Sequence, residues 1–159
     1  MTLSDFFAAH PRCALGFSGG TDSAFLLYEG LRLGVEIRPY FIKTQFQPAF
    51  ELEDARRLCA QLGVELSVVE EDILACPEAA ANPPDRCYHC KRRLFSLLAG
   101  RAAADGFTTL IDGTNASDEQ GDRPGMRALG ELSVLSPLRL CGITKDEVRR
   151  LSREAGLFT

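Results

Sequence analysis

Residues 13–23 of the chain are Cys-Ala-Leu-Gly-Phe-Ser-Gly-Gly-Thr-Asp-Ser, and they carry the strongest local signal for a fold. A short apolar run at residues 13–17 ends at a Ser-Gly-Gly turn, and an amphipathic segment follows the turn. An apolar run bounded by glycines is typical of a buried strand, and the segment after it has the spacing of a helix. The sequence therefore predicts a strand, a tight glycine-rich turn and a helix in immediate succession.

The same alternation continues along the chain. Strands are predicted at residues 13–17, 35–42, 64–69, 108–111 and 132–135, and helices at residues 22–33, 49–62, 88–104 and 144–155. Such alternation builds βαβ units and a parallel sheet with helices on both faces. Ligands of these sheets bind beyond the carboxyl ends of the strands. The informative segments are therefore those that follow the strands: residues 18–23, 43–44, 70–72, 112–115 and 136–137.

Length and composition are those of one globular domain. The chain has 159 residues, of which 45% are hydrophobic and 25% are charged, and its net charge is −4. This acidic balance argues against a broad nucleic-acid footprint or a polybasic membrane anchor. No apolar run has the length of a membrane span, and the first residues lack the pattern of a secretory signal. Six cysteines are too few for a disulfide scaffold of this length, so we expect a cytoplasmic, reducing location.

The glycine-rich turn, residues 18–23, has the chemistry of a phosphate loop. Gly19 and Gly20 let the backbone approach a ligand, and the next helix offers unpaired N–H groups and the positive end of its dipole. Asp22 would repel a bare phosphate, but its carboxylate fits a site in which Mg²⁺ bridges it to phosphate oxygens. The alternative is a plain strand-to-helix turn in which Ser or Asp caps the helix. Because the strand, the spacing and the helix all fit, we predict a phosphate-binding loop.

The Ser-Gly-Gly-x-Asp-Ser pattern resembles the PP-loop of the ATP pyrophosphatase superfamily, whose members transfer AMP to an acceptor and release pyrophosphate. Later segments are similar to LarE-type sulfur transferases: residues 82–91 with Cys-Tyr-His-Cys-Lys, residues 112–118 and 122–129, and residues 136–138 and 142–149. The matches run in order from about Leu15 to Leu157. With the strand pattern, this resemblance implies an α/β fold, a Rossmann-like (HUP-type) three-layer sandwich with a five-stranded parallel sheet.

The resemblance also implies an activity. LarE-type enzymes adenylate a carboxylate of pyridinium-3,5-biscarboxylic acid mononucleotide and replace an oxygen with sulfur, in the biosynthesis of a nickel-pincer cofactor. By resemblance, ATP and Mg²⁺ serve as cofactors and a small carboxylate is the substrate. A tRNA base, the acceptor of other superfamily members, stays open, although the acidic balance disfavours it. Two further hypotheses are a nucleotide-binding module that needs a partner chain for turnover, and an accessory protein that binds a metal or cluster.

The candidate nucleotide site draws on several segments. The residues predicted to bind ATP are Ser18, Gly19, Gly20, Thr21, Asp22, Ser23, Thr44, Gly113, Thr114 and Asn115, with Asp22 also a catalytic residue and the Mg²⁺ ligand. Lys145 opens the last helix, where the dipole disfavours a cation, and this local conflict fits a catalytic, phosphate-binding lysine. Arg123 and Arg127 have the chemistry to pair bidentately with the substrate, and Arg123 is also a catalytic candidate. An ordinary turn at residues 113–115 and solvated surface charges at the three cations are the alternatives.

Cys87 and Cys90 have the spacing of metal ligands. Alone, a Cys-x-x-Cys pair fits a redox pair, half a zinc site or part of an iron–sulfur site, and zinc would need two further ligands, for which His89 and Cys76 are nearest. By resemblance, the pair joins a C-terminal cysteine in some relatives to hold a [4Fe–4S] cluster, whereas in others that cysteine gives up its own sulfur. Cys59 falls on the apolar face of a helix and is predicted to lie in the core.

The resembling family continues beyond the position of Thr159 with a cysteine-bearing segment and a further domain. By this comparison, residues 1–159 form a single PP-loop ATP pyrophosphatase domain, and the C-terminal domain of the family is absent. We therefore expect either a homo-oligomer or a partner chain that supplies the C-terminal half.

Overall fold

A computed structural model describes residues 2–17, 21–43, 49–70, 86–116 and 134–157, with residues 49 and 86–92 described by their backbone alone. Its helices are α1 (Leu3–Ala9), α2 (Thr21–Arg32), α3 (Ala49–Leu62), α4 (Arg86–Ala104), α5 (Pro137–Leu140) and α6 (Lys145–Ala155). Its strands are β1 (Arg12–Gly16), β2 (Glu36–Lys43), β3 (Ser67–Glu70) and β4 (Leu110–Ile111). Within these ranges, no helix is long and apolar enough to cross a membrane.

The four described strands form one parallel sheet in the order β3–β2–β1–β4. In the register of the sheet, Leu15 of β1 lies between Pro39 of β2 and Ile111 of β4. The chain thus builds β1, β2 and β3 outward in one direction and then crosses to the other side of β1 for β4. This order opens a crevice between the carboxyl ends of β1 and β4, which is where sheets of this kind bind ligands.

The prediction of a five-stranded sheet holds only in part. Over the described residues the sheet has four strands, and Leu135 adds a single parallel bridge to Ile111 beyond β4. The Leu135 N–H donates to the Leu110 carbonyl at 2.9 Å, and the Leu135 carbonyl accepts from the Asp112 N–H at 3.0 Å. Residues 132 and 133 of the predicted fifth strand lie outside the described residues. What the structure describes there is therefore one parallel bridge rather than a full strand.

Side chains of each strand alternate between two apolar clusters, one on each face of the sheet. On one face, residues of β1, β2 and β4 pack with α1, α2, α3 and α6: Cys13, Leu15, Ile37, Phe41, Ile111, Phe6, Phe7, Phe25, Leu58 and Val148. On the other face, Ala14, Tyr40 and Leu110 pack with Leu98 and Ala102 of α4. The sheet therefore lies between two layers of helices. Cys59 of α3 is buried in the first cluster, as predicted from the apolar face of its helix.

Two helix boundaries follow from local sequence. The Thr144 hydroxyl, at the N-cap of α6, accepts a hydrogen bond from the Glu147 N–H at 3.4 Å, so this half of the predicted capping box is present. Gly156 ends α6 with φ +71°, a left-handed conformation that favours glycine. The N-cap at Thr144 fixes where α6 begins, and hence the position of Lys145, its first residue.

A cluster of charged and aromatic groups lies at the amino edge of the sheet. The Tyr40 hydroxyl donates to Asp105 Oδ2 at 2.6 Å, and Arg38 Nη1 lies 3.4 Å from the same oxygen. The guanidinium carbons of Arg12 and Arg38 lie 4.9 and 5.2 Å from the ring centroid of the buried Phe107. The hydrogen bond from Tyr40, followed by the charges of nearby arginines, lowers the pKa of Asp105. Each of these charged groups thus has a partner of opposite charge or an aromatic face.

Candidate functional site

Three segments converge at the carboxyl edge of the sheet: the start of α2, residues 112–115 after β4, and the start of α6. Gly113 makes the closest approach, because a Cβ atom built there would lie 3.0 Å from the Ser23 backbone nitrogen and 3.2 Å from its Cα. Those atoms belong to the α2 backbone and cannot turn away, so only glycine fits without a shift of one segment. The spacing of these two segments therefore depends on the absence of a side chain at position 113.

Asp22, in the first turn of α2, is the centre of this cluster. Its Oδ2 accepts hydrogen bonds from Asn115 Nδ2 at 3.0 Å and from Lys145 Nζ at 3.1 Å. These partners lie 93 and 123 positions further along the chain. The structure thus brings together three residues that the sequence analysis had named separately.

The second carboxylate oxygen of Asp22 has no such partners. Oδ1 is buried, and no hydrogen-bond partner for it occurs among the described residues. Leaving a charged oxygen buried and unpaired is costly, so such an atom is typical of a place where a ligand completes the site. Mg²⁺ takes one or two protein carboxylates and fills its other positions with phosphate oxygens and water. The residues present therefore fit the predicted Mg²⁺, with Asp22 Oδ1 as the protein ligand.

Lys145 does not extend into solvent as an ordinary surface lysine would. Its side chain is 32% exposed and turns onto Asp22, whose side chain is 20% exposed. As the first residue of α6, it stands where the helix dipole disfavours a cation, and the Asp22 carboxylate offsets that cost. The arrangement places an ammonium group 3.1 Å from one oxygen of the Asp22 carboxylate, whose other oxygen has no partner among the described residues.

Asp112 and Ser136 belong to the same edge, although the sequence analysis did not name them individually as site residues. The Asp112 carboxylate is buried, and its Oδ1 accepts from Ser136 Oγ at 2.6 Å. Its Oδ2 accepts from Thr114 Oγ1 at 2.7 Å, and the Thr114 N–H lies 3.3 Å from Oδ1. Their signal in the sequence was their place directly after two predicted strands.

Several predicted site residues lie outside the described residues or are described only in part. Ser18, Gly19, Gly20, Thr44, Cys76, Arg123 and Arg127 lie outside them, and the backbone of Cys87 and Cys90 belongs to the first turns of α4. Of the remaining loop residues, Thr21 is half-buried and Ser23 is buried. No group of three or more His, Cys, Asp and Glu side chains able to hold a metal occurs in the part of the chain that the structure describes.

The chain matches no family model, but it has clear relatives. It is 35% identical over 158 residues to an uncharacterized protein of Synechocystis sp.. It is 31% identical over 148 residues to pyridinium-3,5-bisthiocarboxylic acid mononucleotide synthase of Lactiplantibacillus plantarum. The alignments cover 98% and 92% of this chain but 58% and 54% of the two relatives. The chain therefore spans little more than half the length of these curated relatives.

Two more distant likenesses extend the comparison. A tRNA-specific 2-thiouridylase of Thermotoga petrophila is 26% identical, with 92% of this chain and 52% of that protein aligned. The solved structure of an NH3-dependent NAD synthetase from Campylobacter jejuni matches with a TM-score of 0.71 at 25% identity, over 98% of this chain and 71% of that chain. The parallel sheet, the loop and these relatives define a PP-loop domain of the adenine nucleotide alpha hydrolase-like superfamily, to which this chain belongs. Within that superfamily, the chain is a homologue of the LarE-type synthase from Lactiplantibacillus over about half of that enzyme.

Proposed function

We propose that the chain is the ATP-binding, adenylating domain of a PP-loop enzyme that activates a carboxylate for sulfur transfer. The observation that carries the proposal is the Asp22–Asn115–Lys145 cluster, in which one buried carboxylate oxygen has no hydrogen-bond partner among the described residues while the other accepts from an ammonium group. Such a cluster suits a metal-bound polyphosphate, which carries both negative charge and a hard cation. By resemblance to the LarE-type relative, the proposed acceptor is a carboxylate of pyridinium-3,5-biscarboxylic acid mononucleotide.

The proposed reaction is an attack of the acceptor carboxylate on the α-phosphorus of ATP. A bond forms between a carboxylate oxygen and that phosphorus, and the bond from the phosphorus to the bridging oxygen breaks, so that pyrophosphate leaves. Bound Mg²⁺ would supply charge neutralisation on the phosphate oxygens. Lys145 Nζ would face the departing pyrophosphate, where a fixed positive charge stabilises developing negative charge. Asn115 donates to Asp22 Oδ2 and thereby leaves Oδ1 as the oxygen that would hold the Mg²⁺.

The same site also supports a second candidate function, that of a nucleotide-binding module without turnover of its own. The observation that favours it is the alignment length, since the chain covers 54% of the LarE-type relative. In this proposal the Asp22 cluster binds ATP, and a partner chain contributes the groups that hold the acceptor. A tRNA acceptor, in line with the 2-thiouridylase likeness, is a third outcome that the same experiment can detect.

The experiment is an assay of pyrophosphate release from Mg-ATP by the purified chain, with the acyl-adenylate, or the AMP that its hydrolysis yields, measured as the second product. We expect release that depends on the mononucleotide dicarboxylate, and no stimulation by unmodified tRNA in its place. Binding of Mg-ATP without release in the presence of either acceptor would favour the binding module. If folded protein neither binds Mg-ATP nor releases pyrophosphate, the proposal is overturned.

A further inference from the structure

We propose that Asp112 is a positioning residue of this nucleotide site, acting through residues 113–115 on Asp22. The inference rests on the proposed function, because it concerns how the same Mg-ATP site is held in shape. The hydrogen bonds of the Asp112 carboxylate within the described residues are to Thr114 and Ser136, and not to Asp22 or Lys145. Its influence is instead carried by the segment that follows it.

The Asp112 carboxylate is unusually well held for a group so near the surface edge of a sheet. It is 6% exposed, and the hydroxyls of Ser136 and Thr114 donate to its two oxygens at 2.6 and 2.7 Å. An ionised carboxylate only accepts hydrogen bonds, so both hydroxyl protons are directed at it. Short hydrogen bonds to a charged acceptor are about twice as strong as neutral ones. The carboxylate therefore joins two segments, one that follows β4 and one that follows the single bridge at Leu135.

These hydrogen bonds to Asp112 determine the backbone position of residues 113–115. Thr114 is fixed by its N–H and its hydroxyl, both directed at Asp112. Gly113 is thereby held so close to α2 that a Cβ built on it would lie 3.0 Å from the Ser23 backbone nitrogen. Asn115, which is 1% exposed, is held with its amide nitrogen 3.0 Å from Asp22 Oδ2. At the far side, the Ala116 N–H donates to the Ile143 carbonyl at 2.9 Å, two residues before Lys145. One buried carboxylate thus sets the distance between the two groups that hold Asp22.

A contribution to stability alone does not explain why a buried carboxylate occupies position 112. A buried charge is often replaceable by apolar side chains of similar volume with no loss of stability, so its presence is weak support for a purely structural role. The partners of Asp112 lie at the carboxyl edge of the sheet, and one of them, Thr114, directly precedes Asn115, which donates to Asp22. We therefore expect its substitution to change nucleotide affinity through Asn115.

The test is a double-mutant cycle on Mg-ATP affinity, measured by calorimetry at a temperature where all variants are folded. Asp112→Asn should weaken binding about tenfold in the wild-type background and less than about twofold in an Asn115→Ala background, because the path it controls has already been removed. A merely structural role would give the same fold-change in both backgrounds, and that result would overturn the inference.

A milder variant covers the case in which Asp112→Asn does not fold. Ser136→Ala removes one donor to Asp112 and should weaken binding about threefold, again only when Asn115 is present. Ser152→Ala is the matched control, since Ser152 is also a buried serine and its hydroxyl has no hydrogen-bond partner among the described residues. We expect Ser152→Ala to leave affinity unchanged, and an equal loss in both serine variants would overturn the inference.

The outcomes separate this inference from the function on which it rests. If wild-type protein does not bind Mg-ATP, the proposed function fails and the role of Asp112 fails with it. If wild-type protein binds and Asp22→Ala does not, while Asp112→Asn and Ser136→Ala bind as tightly as wild type, the nucleotide site stands and only the positioning role is overturned.

Discussion

Both edges of the sheet carry charged groups, but these groups differ in how completely they are paired. At the amino edge, Asp105 is shared by Tyr40 and Arg38, and the guanidinium groups of Arg12 and Arg38 cover Phe107. At the carboxyl edge, Asp22 has two partners on one oxygen and none among the described residues on the other, although that oxygen is buried. Among the described residues, each charged group of this amino-edge cluster has a partner, whereas one buried oxygen at the carboxyl edge has none. This difference, rather than the number of charges, is why we propose that the functional site lies at the carboxyl edge.

Removing the central carboxylate of each edge is the most direct test of the proposal that only the carboxyl edge is functional. Asp22→Ala should lower acceptor-dependent pyrophosphate release by about 10²–10³-fold, because it removes the proposed metal ligand and the anchor of Lys145. Asp105→Ala should leave the rate within about twofold of wild type, since its partners lie at the opposite edge. Steady-state release of pyrophosphate measures both, and equal losses would contradict the assignment of function to one edge.

The second test concerns the close approach at Gly113. Gly113→Ala should weaken Mg-ATP binding by more than about tenfold and destabilise the fold by about 1–3 kcal/mol, because the new Cβ would meet the α2 backbone. Gly100→Ala is the control, since nothing lies within 4 Å of a Cβ there and α4 is helical at this position. That control should gain about 0.5–1 kcal/mol and bind normally. Urea unfolding and nucleotide titration check both, and normal binding by Gly113→Ala would refute the packing argument.

A third test separates phosphate binding from simple charge pairing. Lys145→Met should weaken ATP binding about tenfold or more while changing AMP binding little, because the ammonium is assigned to the departing pyrophosphate. Arg149→Met, on the same helix, is matched to it as an exposed cation paired with Asp146. We expect the Arg149 variant to bind both nucleotides as wild type does. Equal weakening of ATP and AMP in Lys145→Met would place the lysine elsewhere in the reaction.

The smallest expected effect is at the amino edge and depends on pH. The pKa of Asp105 is lowered, chiefly by the Tyr40 hydrogen bond, so its contribution to stability is present above about pH 4 and is lost as pH falls through the lowered folded-state pKa. The difference in unfolding free energy between wild type and Asp105→Asn should therefore shrink as pH falls from 7 to 3. Urea unfolding across that range measures it, and a difference independent of pH would show that the charge contributes nothing.

Much of the fold could be read from local patterns, and the exceptions depend on distant contacts. The bounds of α3 agree with the prediction for residues 49–62, because its apolar spacing and its terminal Gly63 are local signals. Helix α1 was not predicted, although Thr2 and Asp5 form a capping box before it. Seven residues are too few for a stable isolated helix, and α1 is held by the burial of Phe6 and Phe7 against the sheet.

The site shows the same division between local and distant information. Asp22 could be named from the loop pattern, and Lys145 from its conflict with the dipole of its own helix. Their contact across 123 positions follows from the strand order, which no local pattern gives. Asp112 was missed as a site residue for the same reason, since one of its two hydroxyl partners, Ser136, lies 24 positions along the chain. The roles of Gly19 and Gly20 in binding ATP and of Arg123 in binding the substrate remain predictions.

The strand order also has a consequence for biosynthesis of the protein. Strands β1, β2 and β3 can assemble as soon as residue 70 is available, but β1 pairs Ala14 with Leu110 on its other side. Asn115 and Lys145 come later still, so a growing chain carries its phosphate loop long before it can complete the crevice. A ribosome-bound fragment that ends before Lys145 would expose Asp22 without its cation. The nucleotide binding that we propose for this site would therefore require synthesis to have passed Lys145.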